Sequence, residues 1–459
     1  MTGSHPLTAA RTLAEFLDRI ERRGARVGIV GMGYVGLPLA LFFSEQRFRV
    51  TGFDIDPAKV DTLNGGGSYI HRIEPEQICA AQQSGLRATT DFAEAAVMDA
   101  ILICVPTPLH TDRTPDMSFV VSTIEAIAPH LHAGQIVLLE STTYPGTTEE
   151  IIVETIERIG ASRNLRVLRD DAIAHTQNLD GVLVAFSPER EDPGNTSTPR
   201  REIPKIVGGV DARATTAASA LYATVFDRTI PMSSPAAAEM TKLLENIYRC
   251  VNIALVNELK QLCQRMGIDI WEVIDAAATK PFGFQPFYPG PGVGGHCIPV
   301  DPFYLSWKAE QFGFTTRFIE LAGEINAAMP RYVVETTERA LERNGTMLAD
   351  ASILVLGIAY KRDVDDLRES PALVILEMLR SRGARTAYND PYFPTVGSGR
   401  HYHLHLRSTP LESLGEYDCV LLVTDHSTYD LPRIVEQAKL VIDSRNATRS
   451  IDSPKIVRC

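Results

Sequence analysis

A glycine-rich turn near the start of the chain constrains its fold more than any other feature. Gly31, Gly33 and Gly36 form the pattern G-x-G-x-x-G at the end of the short apolar run RVGIVG, which predicts a β-strand. A helix-like stretch follows to Glu45, and a second apolar run ends at Asp54, 18 residues after the last glycine. This order of elements predicts a βαβ unit.

The three glycines and Asp54 together predict a dinucleotide site. Glycines permit a tight turn and a close approach of the backbone to a pyrophosphate, which the N-terminus of the next helix attracts. Tyr34 and Val35 complete the turn and belong to the same predicted site. An acidic group at Asp54 accepts from a ribose 2′-hydroxyl and disfavours a 2′-phosphate, so the predicted cofactor is NAD rather than NADP. The alternative is a glycine turn in an α/β unit that binds nothing.

The rest of the chain continues the alternation of strands and helices, with a helical interruption. Apolar runs at 100–105, 136–139 and 182–186 extend the first parallel sheet, and those at 352–357, 386–390, 418–424 and 440–443 predict a second one. Between them, 236–266 has long helical periodicity. The predicted fold class is α/β: two Rossmann-like, doubly wound parallel-sheet domains joined by a helical central domain with a long helix.

Domain boundaries follow from this pattern. We expect an N-terminal extension at 1–24, an NAD-binding domain at 25–209, a central helical domain at 210–330 and a C-terminal α/β domain at 331–459. The extension resembles a polar, amphipathic helix without the apolar core of a signal peptide, and no run is long enough to span a bilayer. We therefore expect no membrane partner and a cytoplasmic location.

Charge and cysteine content exclude other classes of function. The 45 basic and 57 acidic residues give a net charge of −12, with no Lys/Arg cluster that would bind a nucleic-acid backbone. An anionic substrate must then be held by backbone amides and a few placed cations. The seven cysteines include no C-x-x-C pair, which predicts neither a disulfide framework nor a metal site and favours a reducing compartment.

A second glycine-rich segment, residues 290–295, runs into a cysteine. Cys297 follows it, and Asp301 stands four residues later. Such a flexible loop is costly unless a ligand approaches its backbone, and a cysteine at the start of a helix can act as a nucleophile. The alternative for one cysteine among seven is a small buried apolar residue. His296 is expected to be structural or to support the site indirectly.

Two further groups of residues suggest a site. Lys242 and Asn246 are four residues apart on the long helix and hence on one face, where they can stabilise an oxyanion or, alternatively, form part of a solvated surface. Thr107, Thr142 and Glu189 each follow a predicted strand. Because ligands bind at the carboxyl ends of parallel strands, these three are candidate cofactor or catalytic residues; the alternative is that they are ordinary turn residues.

Taken together, these motifs resemble the UDP-glucose/GDP-mannose dehydrogenase family of nucleotide-sugar 6-dehydrogenases, from about Arg26 to Asn446. The stretch TKPFGFQPFYPG running into GGHCIPVDP is most similar to bacterial UDP-N-acetylglucosamine 6-dehydrogenases of surface polysaccharide pathways, lipopolysaccharide included. The resemblance implies two successive oxidations of the sugar C6 alcohol, which consume two NAD+ and one water.

The resemblance also assigns roles to the motif residues. Cys297 is the nucleophile, which forms a thiohemiacetal and then a thioester. Asp301 is its partner, and Glu189 assists hydrolysis of the thioester. Lys242 and Asn246 stabilise the oxyanion, order water and contact the substrate. Thr142 positions the catalytic water. Thr142 and Thr107 also contact NAD.

Cations for the substrate and the cofactor come from the C-terminal region in this family. In the segment GIAYKRD followed by LRESP, Lys361 corresponds to the lysine that faces the nucleotide sugar and Arg368 to the arginine that reaches NAD. The resemblance further implies that Tyr288 and Gly294 bind substrate. The alternative for the charged segment is a solvated loop.

Two departures from the family pattern argue against UDP-glucose as substrate. A lysine that commonly precedes the aspartate of the cysteine motif is replaced by Val300, and a second glutamate falls at Pro193. UDP-glucose, UDP-N-acetylgalactosamine and UDP-N-acetylmannosamine nevertheless stay open as substrates. From other classes, an NAD-dependent epimerase would have no use for the thiol, a sensor would need none of the catalytic set, and a decarboxylating hydroxyacid dehydrogenase lacks the third domain. Family members pair along the long central helix, so we expect a homodimer or a larger even assembly.

Overall fold

The computed structural model describes residues 10–70, 72–110, 112–169, 177–191, 198–295, 297–399 and 402–459. The chain divides into two compact units, Met1–Leu244 and Glu245–Cys459. Each unit contains its own sheet, mostly parallel in the first unit and parallel in the second. The predicted α/β class with two doubly wound domains and a helical centre is therefore confirmed.

The first unit contains an eight-stranded sheet within its described part, in the order β3-β2-β1-β4-β5-β6-β7-β8. All neighbouring strands are parallel except β6 and β7, which are antiparallel. The strands are β1 Arg26–Val30, β2 Arg49–Phe53, β3 Arg87–Thr89, β4 Ala100–Ile103, β5 Ile136–Leu139, β6 Leu183–Phe186, β7 Lys205–Gly209 and β8 Thr229–Met232.

Helices cover both faces of this sheet. Strand β4 is buried throughout, with Ala100 and Leu102 in the core on one face and Ile101 and Ile103 in the core on the other. This is why its sequence is continuously apolar instead of alternating. The α-helices are α1 Leu13–Glu21, α2 Gly36–Glu45, α3 Pro57–Asn64, α4 Pro75–Gln83, α5 Ser118–Ile127, α6 Glu154–Gly160 and α7 Ala212–Tyr222. A π-helix, Thr148–Val153, leads into α6, and short 3₁₀ turns lie at Phe92–Val97, Ala128–His130, Ala161–Arg163 and Arg200–Glu202.

The boundaries of the first unit differ from those predicted. Part of the expected N-terminal extension forms α1, whose Leu13, Phe16 and Ile20 are buried in the same core as the sheet, while residues 1–9 lie outside the described ranges. The sheet also continues past residue 209, because β8 pairs with β7. Strand β8 escaped prediction because its sequence, TIPM, contains a proline and its residues are only half-buried or exposed.

A long helix, α8 Pro235–Met266, begins in the first unit and ends in the second. At 1.5 Å per residue, its 32 residues span about 48 Å. The helices that follow it are α9 Ile270–Ala278, α10 Cys297–Glu310 and α11 Arg317–Arg343. The boundary predicted at 331 falls inside α11, so this helix does not end where the central domain was expected to end.

The second sheet is parallel throughout its described strands, in the order β10-β9-β13-β14-β15. Its strands are β9 Ser352–Leu356, β10 Arg385–Asn389, β13 Cys419–Leu422, β14 Val441–Asp443 and β15 Ile456–Arg458; β11 Thr395–Gly399 and β12 Tyr402–Arg407 form a separate antiparallel pair. Helices α12 Pro371–Ser381 and α13 Leu431–Gln437 and the 3₁₀ turns Leu348–Asp350 and Leu411–Glu416 complete the unit.

Membrane insertion is not indicated by the helices. None of those within the described ranges combines the length and the apolar character that crossing a bilayer requires.

Candidate functional site

The turn after β1 has the geometry that a pyrophosphate site requires. Gly31 has a φ of +90°, and a Cβ there would lie 2.7 Å from the carbonyl oxygen of Cys104. A Cβ on Gly36 would lie 2.0 Å from the carbonyl oxygen of Gly31, so this glycine lets α2 pack against the turn. A Cβ on Gly33 would meet nothing within 4 Å, which leaves the middle of the turn open for a ligand. The three glycines thus divide the roles expected of a dinucleotide turn.

Asp54 closes this turn from the end of β2. Its Oδ2 accepts from the backbone N–H of Met32 (2.9 Å), and its Oδ1 accepts from the N–H of Asp56 (3.0 Å). The Nζ of Lys59 lies 3.5 Å from Oδ2. The carboxylate therefore fixes the glycine turn and retains acceptor capacity for a ribose hydroxyl.

The loops after β4 and β5 are tied together beside the turn. The buried hydroxyl of Thr107 donates to the carbonyl oxygen of Thr142 (2.8 Å), and Ser141 Oγ donates to the carbonyl oxygen of Val105 (2.7 Å). Two predicted site residues, Thr107 and Thr142, are thus brought together at the carboxyl edge of the sheet, where ligands bind in open α/β folds.

Glu189 follows β6 at the same edge. Arg200 donates to its Oε2 (2.5 Å), and the N–H groups of Arg190 and Glu191 donate to its Oε1 (2.8 Å each). Burial alone would raise the pKa of Glu189, but the positive charges of Arg200 and Lys205 outweigh it and hold the pKa well below its usual range. The carboxylate is therefore ionised at neutral pH. Pro193, where a second glutamate was expected from the family pattern, lies outside the described residues.

Glu239, which sequence reasoning missed, anchors the start of α8 within the first unit. Its fully buried carboxylate accepts from the N–H of Gly146 (2.6 Å) and from the N–H (2.9 Å) and hydroxyl (2.7 Å) of Thr148. Burial raises the pKa of Glu239 to about 7. The segment that carries Thr142 is thus fixed to the helix that carries Lys242, whose side chain is itself buried.

In the second unit, the glycine-rich segment 290–295 packs tightly against its surroundings. The N–H of Gly290 donates to Asn257 Oδ1 (3.0 Å), and the N–H of Gly295 donates to the carbonyl oxygen of Arg368 (2.8 Å). A Cβ on Gly294 would lie 2.6 Å from the Cβ of Tyr360, and Gly295 has a φ of +79°. Close packing and a left-handed backbone thus explain these glycines.

Cys297 is the first residue of α10, as expected for a thiolate stabilised by a helix N-terminus. The side chain is half-buried, whereas Cys104, Cys250 and Cys419 have pKa values raised by burial. Burial makes those three thiols poor nucleophiles. Among these four cysteines, Cys297 has the setting that suits a nucleophile. The adjacent His296 lies outside the described residues.

Asn246 and Asp301 lie together in the interior of the second unit. Both are fully buried, and Asn246 Nδ2 donates to Asp301 Oδ2 (2.5 Å). Arg249, one turn further along α8, donates to Asn246 Oδ1. The amide is therefore oriented from both ends, with one remaining Nδ2 hydrogen that has no partner in the described part of the chain.

The face of α8 that carries Asn246 is polar and turned inward. Lys242, Asn246, Arg249, Asn257 and Lys260 follow one another at spacings of three, four or eight residues, which place them on one side of the helix. Asn257 donates to Asn326, and Lys260 donates to the carbonyl oxygen of Cys459. The helical spacing from Asn246 was a signal that could have identified Arg249, Asn257 and Lys260 from sequence.

The remaining predicted substrate residues occupy different settings. Lys361 lies in the half-buried loop after β9. Arg368 pairs with Asp366 (2.7 Å) beside the glycine-rich segment. Its contact with NAD stays a prediction. Tyr288 is exposed, its ring stacks on Trp271 with centroids 5.7 Å apart, and its hydroxyl donates to Asp275 (2.8 Å).

The arrangement fits an NAD molecule in the first unit. The open space at Gly33, the N-terminus of α2 and the spare acceptor capacity of Asp54 match a pyrophosphate and a ribose diol without a 2′-phosphate. Among the residues that the structure describes, no group of three or more His, Cys, Asp or Glu side chains could hold a metal ion.

Comparison with known families matches three successive parts of the chain. Residues 25–226 match the NAD-binding domain of the UDP-glucose/GDP-mannose dehydrogenase family, residues 236–328 match its central domain, and residues 354–450 match its UDP-binding domain. The order is the order of the motifs along the sequence.

Individual relatives span nearly the whole chain. An NDP-N-acetyl-D-galactosaminuronic acid dehydrogenase of Ralstonia nicotianae is 35% identical over 428 residues, covering 91% of this chain and 95% of the relative. A UDP-N-acetyl-D-mannosamine dehydrogenase of Escherichia coli is 34% identical over 423 residues, covering 88% of this chain and 94% of the relative.

A solved structure extends the likeness to the fold. The UDP-D-ManNAc dehydrogenase of Pyrococcus horikoshii superimposes with a TM-score of 0.80 at 32% identity, covering 94% of this chain and 98% of that structure. With its three matched domains and its glycine turn and Asp54 shaped for NAD, the chain belongs to the UDP-glucose/GDP-mannose dehydrogenase family and is an NAD-dependent nucleotide-sugar dehydrogenase.

Proposed function

We propose that the protein oxidises the C6 hydroxyl of UDP-N-acetylglucosamine to UDP-N-acetylglucosaminuronic acid, with two NAD+ consumed per substrate. The observation that carries this proposal is the position of Cys297 at the first turn of α10, in the same unit as the oriented pair Asn246 and Asp301. A simple alcohol dehydrogenase has no need of such a thiol, whereas a four-electron oxidation needs a group that retains the aldehyde.

The covalent step then balances as follows. The Cys297 thiolate forms a C–S bond to the aldehyde carbon, and the resulting thiohemiacetal loses a hydride and a proton to become a thioester. Water adds to the thioester carbonyl and the C–S bond breaks, which yields the thiolate, a carboxylate and two protons. Bound NAD+ supplies the acceptor for each of the two hydrides.

The other candidate catalytic residues are proposed to supply charge and orientation. Asn246, held by Asp301 and Arg249, offers its remaining Nδ2 hydrogen to the developing oxyanion, and Lys242 adds a positive charge. Glu189 is ionised and bound by Arg200, so its contribution is a fixed negative charge and acceptor near the attacking water, not a strong base. Thr142 positions that water.

NAD would be held by the first unit. Gly31, Gly33 and Gly36 form the turn under the pyrophosphate, Asp54 accepts from the ribose, and Tyr34, Val35, Thr107 and Thr142 line the neighbouring edge of the sheet. Arg368 is the cation that the family resemblance assigns to NAD. UDP is assigned to the matched UDP-binding domain, with Lys361, Tyr288 and Gly294 at the sugar nucleotide.

The N-acetylhexosamine is supported by two observations. The relatives named above act, by their names, on N-acetylated sugar nucleotides. In addition, the lysine that commonly precedes the aspartate in UDP-glucose enzymes is here Val300, which is buried. UDP-N-acetylmannosamine, UDP-N-acetylgalactosamine and UDP-glucose are the alternatives for the same chemistry.

The test is NADH formation at 340 nm by the purified protein with NAD+ and each of UDP-N-acetylglucosamine, its galacto and manno isomers, and UDP-glucose. We expect two NADH per UDP-N-acetylglucosamine and little from UDP-glucose. One NADH per substrate would contradict the four-electron reaction. Two NADH from another epimer would contradict only the identity of the sugar.

An NAD-dependent epimerase is the second candidate class. The Tyr-x-x-x-Lys spacing typical of such enzymes does occur, at Tyr304 and Lys308, but both side chains are buried in α10. An epimerase would form product without net NADH, and a sensor would bind the nucleotide sugar without turnover, so the same assay separates the three.

A homodimer formed along α8 is supported by the face of this helix opposite its polar side. Tyr248, Leu255, Leu259, Leu262 and Met266 are all exposed and fall within an arc of about 60° at 100° per residue. An exposed apolar stripe on a helix marks an interaction surface. Replacing Leu255 and Leu262 by glutamate should halve the mass measured by light scattering; an unchanged mass would contradict pairing through this stripe.

The cytoplasm is the proposed location, and surface polysaccharide synthesis the proposed use of the product. All seven cysteines are free, which suits a reducing compartment.

A further inference from the structure

Arg249, on the polar face of α8, is a cation whose hydrogen-bonding capacity is incompletely used. Arg249 is half-buried and donates from its terminal nitrogen to Asn246 Oδ1. Its Nε is fully shielded from solvent and has no hydrogen-bond partner. No ion pair joins this guanidinium to any acidic side chain in the described ranges.

Three other polar side chains on this face have hydrogen-bond partners from elsewhere in the chain. Asn246 donates to Asp301, Asn257 bonds both Gly290 and Asn326, and Lys260 donates to the carbonyl oxygen of Cys459. A buried donor of a charged group that lacks an acceptor destabilises the folded protein. The buried Nε–H of Arg249 therefore requires an acceptor that the described part of the chain does not supply.

The neighbour of Arg249 indicates where that acceptor comes from. Asn246 is the side chain that the proposed reaction places at the sugar, and the Arg249 guanidinium touches it directly. A ligand group next to Asn246 is consequently within the reach of a planar guanidinium that is fixed at one end. An amide carbonyl is a stronger acceptor than a hydroxyl and has no hydrogen to turn toward the Nε–H.

We propose that Arg249 recognises the acetamido carbonyl at C2 of the sugar and thereby sets the preference for N-acetylhexosamines over hexoses. This inference rests on the proposed function, which it deepens. The same guanidinium orients the Asn246 amide, so it couples recognition of the acetamido group to the placement of the oxyanion donor. Lys242, the other cation on this face, precedes Asn246 by one turn and serves the reacting end of the sugar.

The experiment compares Arg249→Met with Arg265→Met. Methionine keeps the aliphatic length and removes every donor, and Arg265 is an exposed arginine in the last turn of the same helix. Dissociation constants are measured by titration calorimetry for UDP-N-acetylglucosamine, its galacto and manno isomers, UDP-glucose and UDP, with NADH present so that no oxidation occurs. UDP-N-acetylglucosamine and UDP-glucose differ only at C2, which makes them a matched pair.

We expect Arg249→Met to raise the dissociation constant of the preferred UDP-N-acetylhexosamine by on the order of 10-fold to 100-fold, as for loss of a hydrogen bond to a charged group. Binding of UDP and UDP-glucose should change by less than about 3-fold, and Arg265→Met should change none of them. An intact UDP affinity shows that the variant is folded, and steady-state assays should add a lower kcat because Asn246 loses its orienting partner.

Equal weakening of UDP-N-acetylglucosamine and UDP-glucose, or no weakening of either, would overturn the role of Arg249. If the wild-type protein oxidises no UDP-N-acetylhexosamine, the proposed function fails and this inference fails with it. If it oxidises one and the variant retains full discrimination, only the assignment of Arg249 fails.

Discussion

The two α/β regions secure the end of their first strand in the same way but continue differently. A Cβ on Gly31 would lie 2.7 Å from the carbonyl oxygen of Cys104, and a Cβ on Gly357 would lie 2.2 Å from that of Thr424. Both glycines have positive φ, +90° and +77°. In each case the crowding carbonyl lies just beyond the strand that neighbours the first one, β4 or β13.

An aspartate at the end of the next strand completes both arrangements. Asp54 accepts from the N–H of Met32, and Asp390 accepts from the N–H groups of Ile358 (2.7 Å) and Ala359 (3.0 Å). Asp390 is in addition bonded by the buried His426 (3.1 Å). The first carboxylate keeps capacity for a ligand, whereas the second is fully used within the protein.

The connection to the following helix differs accordingly. In the first region α2 begins at Gly36, five residues after Gly31, so its N-terminus and the backbone of the turn can hold a pyrophosphate. In the second, α12 begins at Pro371, and the longer loop contains Lys361 and Arg368. The same arrangement at the end of the first strand is therefore followed by a short glycine turn in one region and by a longer loop with two candidate ligand-binding cations in the other.

The largest predicted effect is a loss of turnover without a loss of ligand binding in either region. Cys297→Ser should lower turnover by roughly 10⁴-fold or more, because a hydroxyl does not replace the thiolate as nucleophile. Dissociation constants for NAD+ and the UDP-sugar should stay within about 3-fold, since binding in both regions needs no thiol. Stopped-flow and calorimetry measure the two quantities. Normal uronic acid production by this variant would contradict the covalent mechanism.

Substitution of each of the two glycines should weaken the binding of a different ligand. Gly31→Ala places a Cβ against a carbonyl oxygen and should weaken NAD+ binding by on the order of 100-fold while leaving UDP binding intact. Gly357→Ala should do the reverse. Calorimetric titration with each ligand, together with the unfolding temperature of each variant, checks this. If either variant lost binding of both NAD+ and UDP, the two glycine positions would not act independently.

Substitution of Asp54 should affect ligand binding, whereas substitution of Asp390 should affect stability. Asp54→Ala should weaken NAD+ binding by about 10-fold, through loss of a hydrogen bond to the ribose. Asp390→Ala leaves His426 and two N–H groups buried without an acceptor and should lower the free energy of unfolding by about 3 kcal/mol. Urea unfolding and NAD+ titration of both variants measure this contrast. Equal stability losses would remove the distinction between a ligand-facing and a structural carboxylate.

The smallest effect concerns pH. Burial raises the pKa of Glu239 to about 7. The folded pKa exceeds that of the unfolded chain, so the stability contributed by this group is complete below about 4.5 and is lost as pH rises through about 7. Wild type should therefore lose about 1–3 kcal/mol relative to Glu239→Gln between pH 5 and pH 8. Urea unfolding at both pH values measures the difference.

Asp390 serves as the opposite control. Burial would raise its pKa, but the hydrogen bond and charge of His426 lower it below the ordinary value. Its stabilising contribution is present above about pH 3.8 and is lost as pH falls. Relative to Asp390→Asn, wild type should lose stability only in acid. The same direction of pH dependence for both carboxylates would contradict these opposed environments.

The sequence predicted features whose causes are local. The glycine turn, the buried strands and the start of α10 all follow from short patterns, because each reflects backbone sterics or burial on both faces. By contrast, Asn257 and Glu239 acquire their roles from partners far along the chain. Helix α1 likewise becomes part of the first unit through long-range packing of Phe16, which its polar composition concealed.

The inward polar face of α8 also limits how the chain can vary in length. Asn246 bonds Asp301, and Asn257 bonds Gly290, so two positions on the same helix are each held by a hydrogen bond to another part of the chain. Removing a single residue between them would rotate one point by about 100° relative to the other and draw them about 1.5 Å closer. The helix therefore fixes the spacing of these two hydrogen bonds. Substitutions between Asn246 and Asn257 can preserve this spacing, but insertions and deletions cannot.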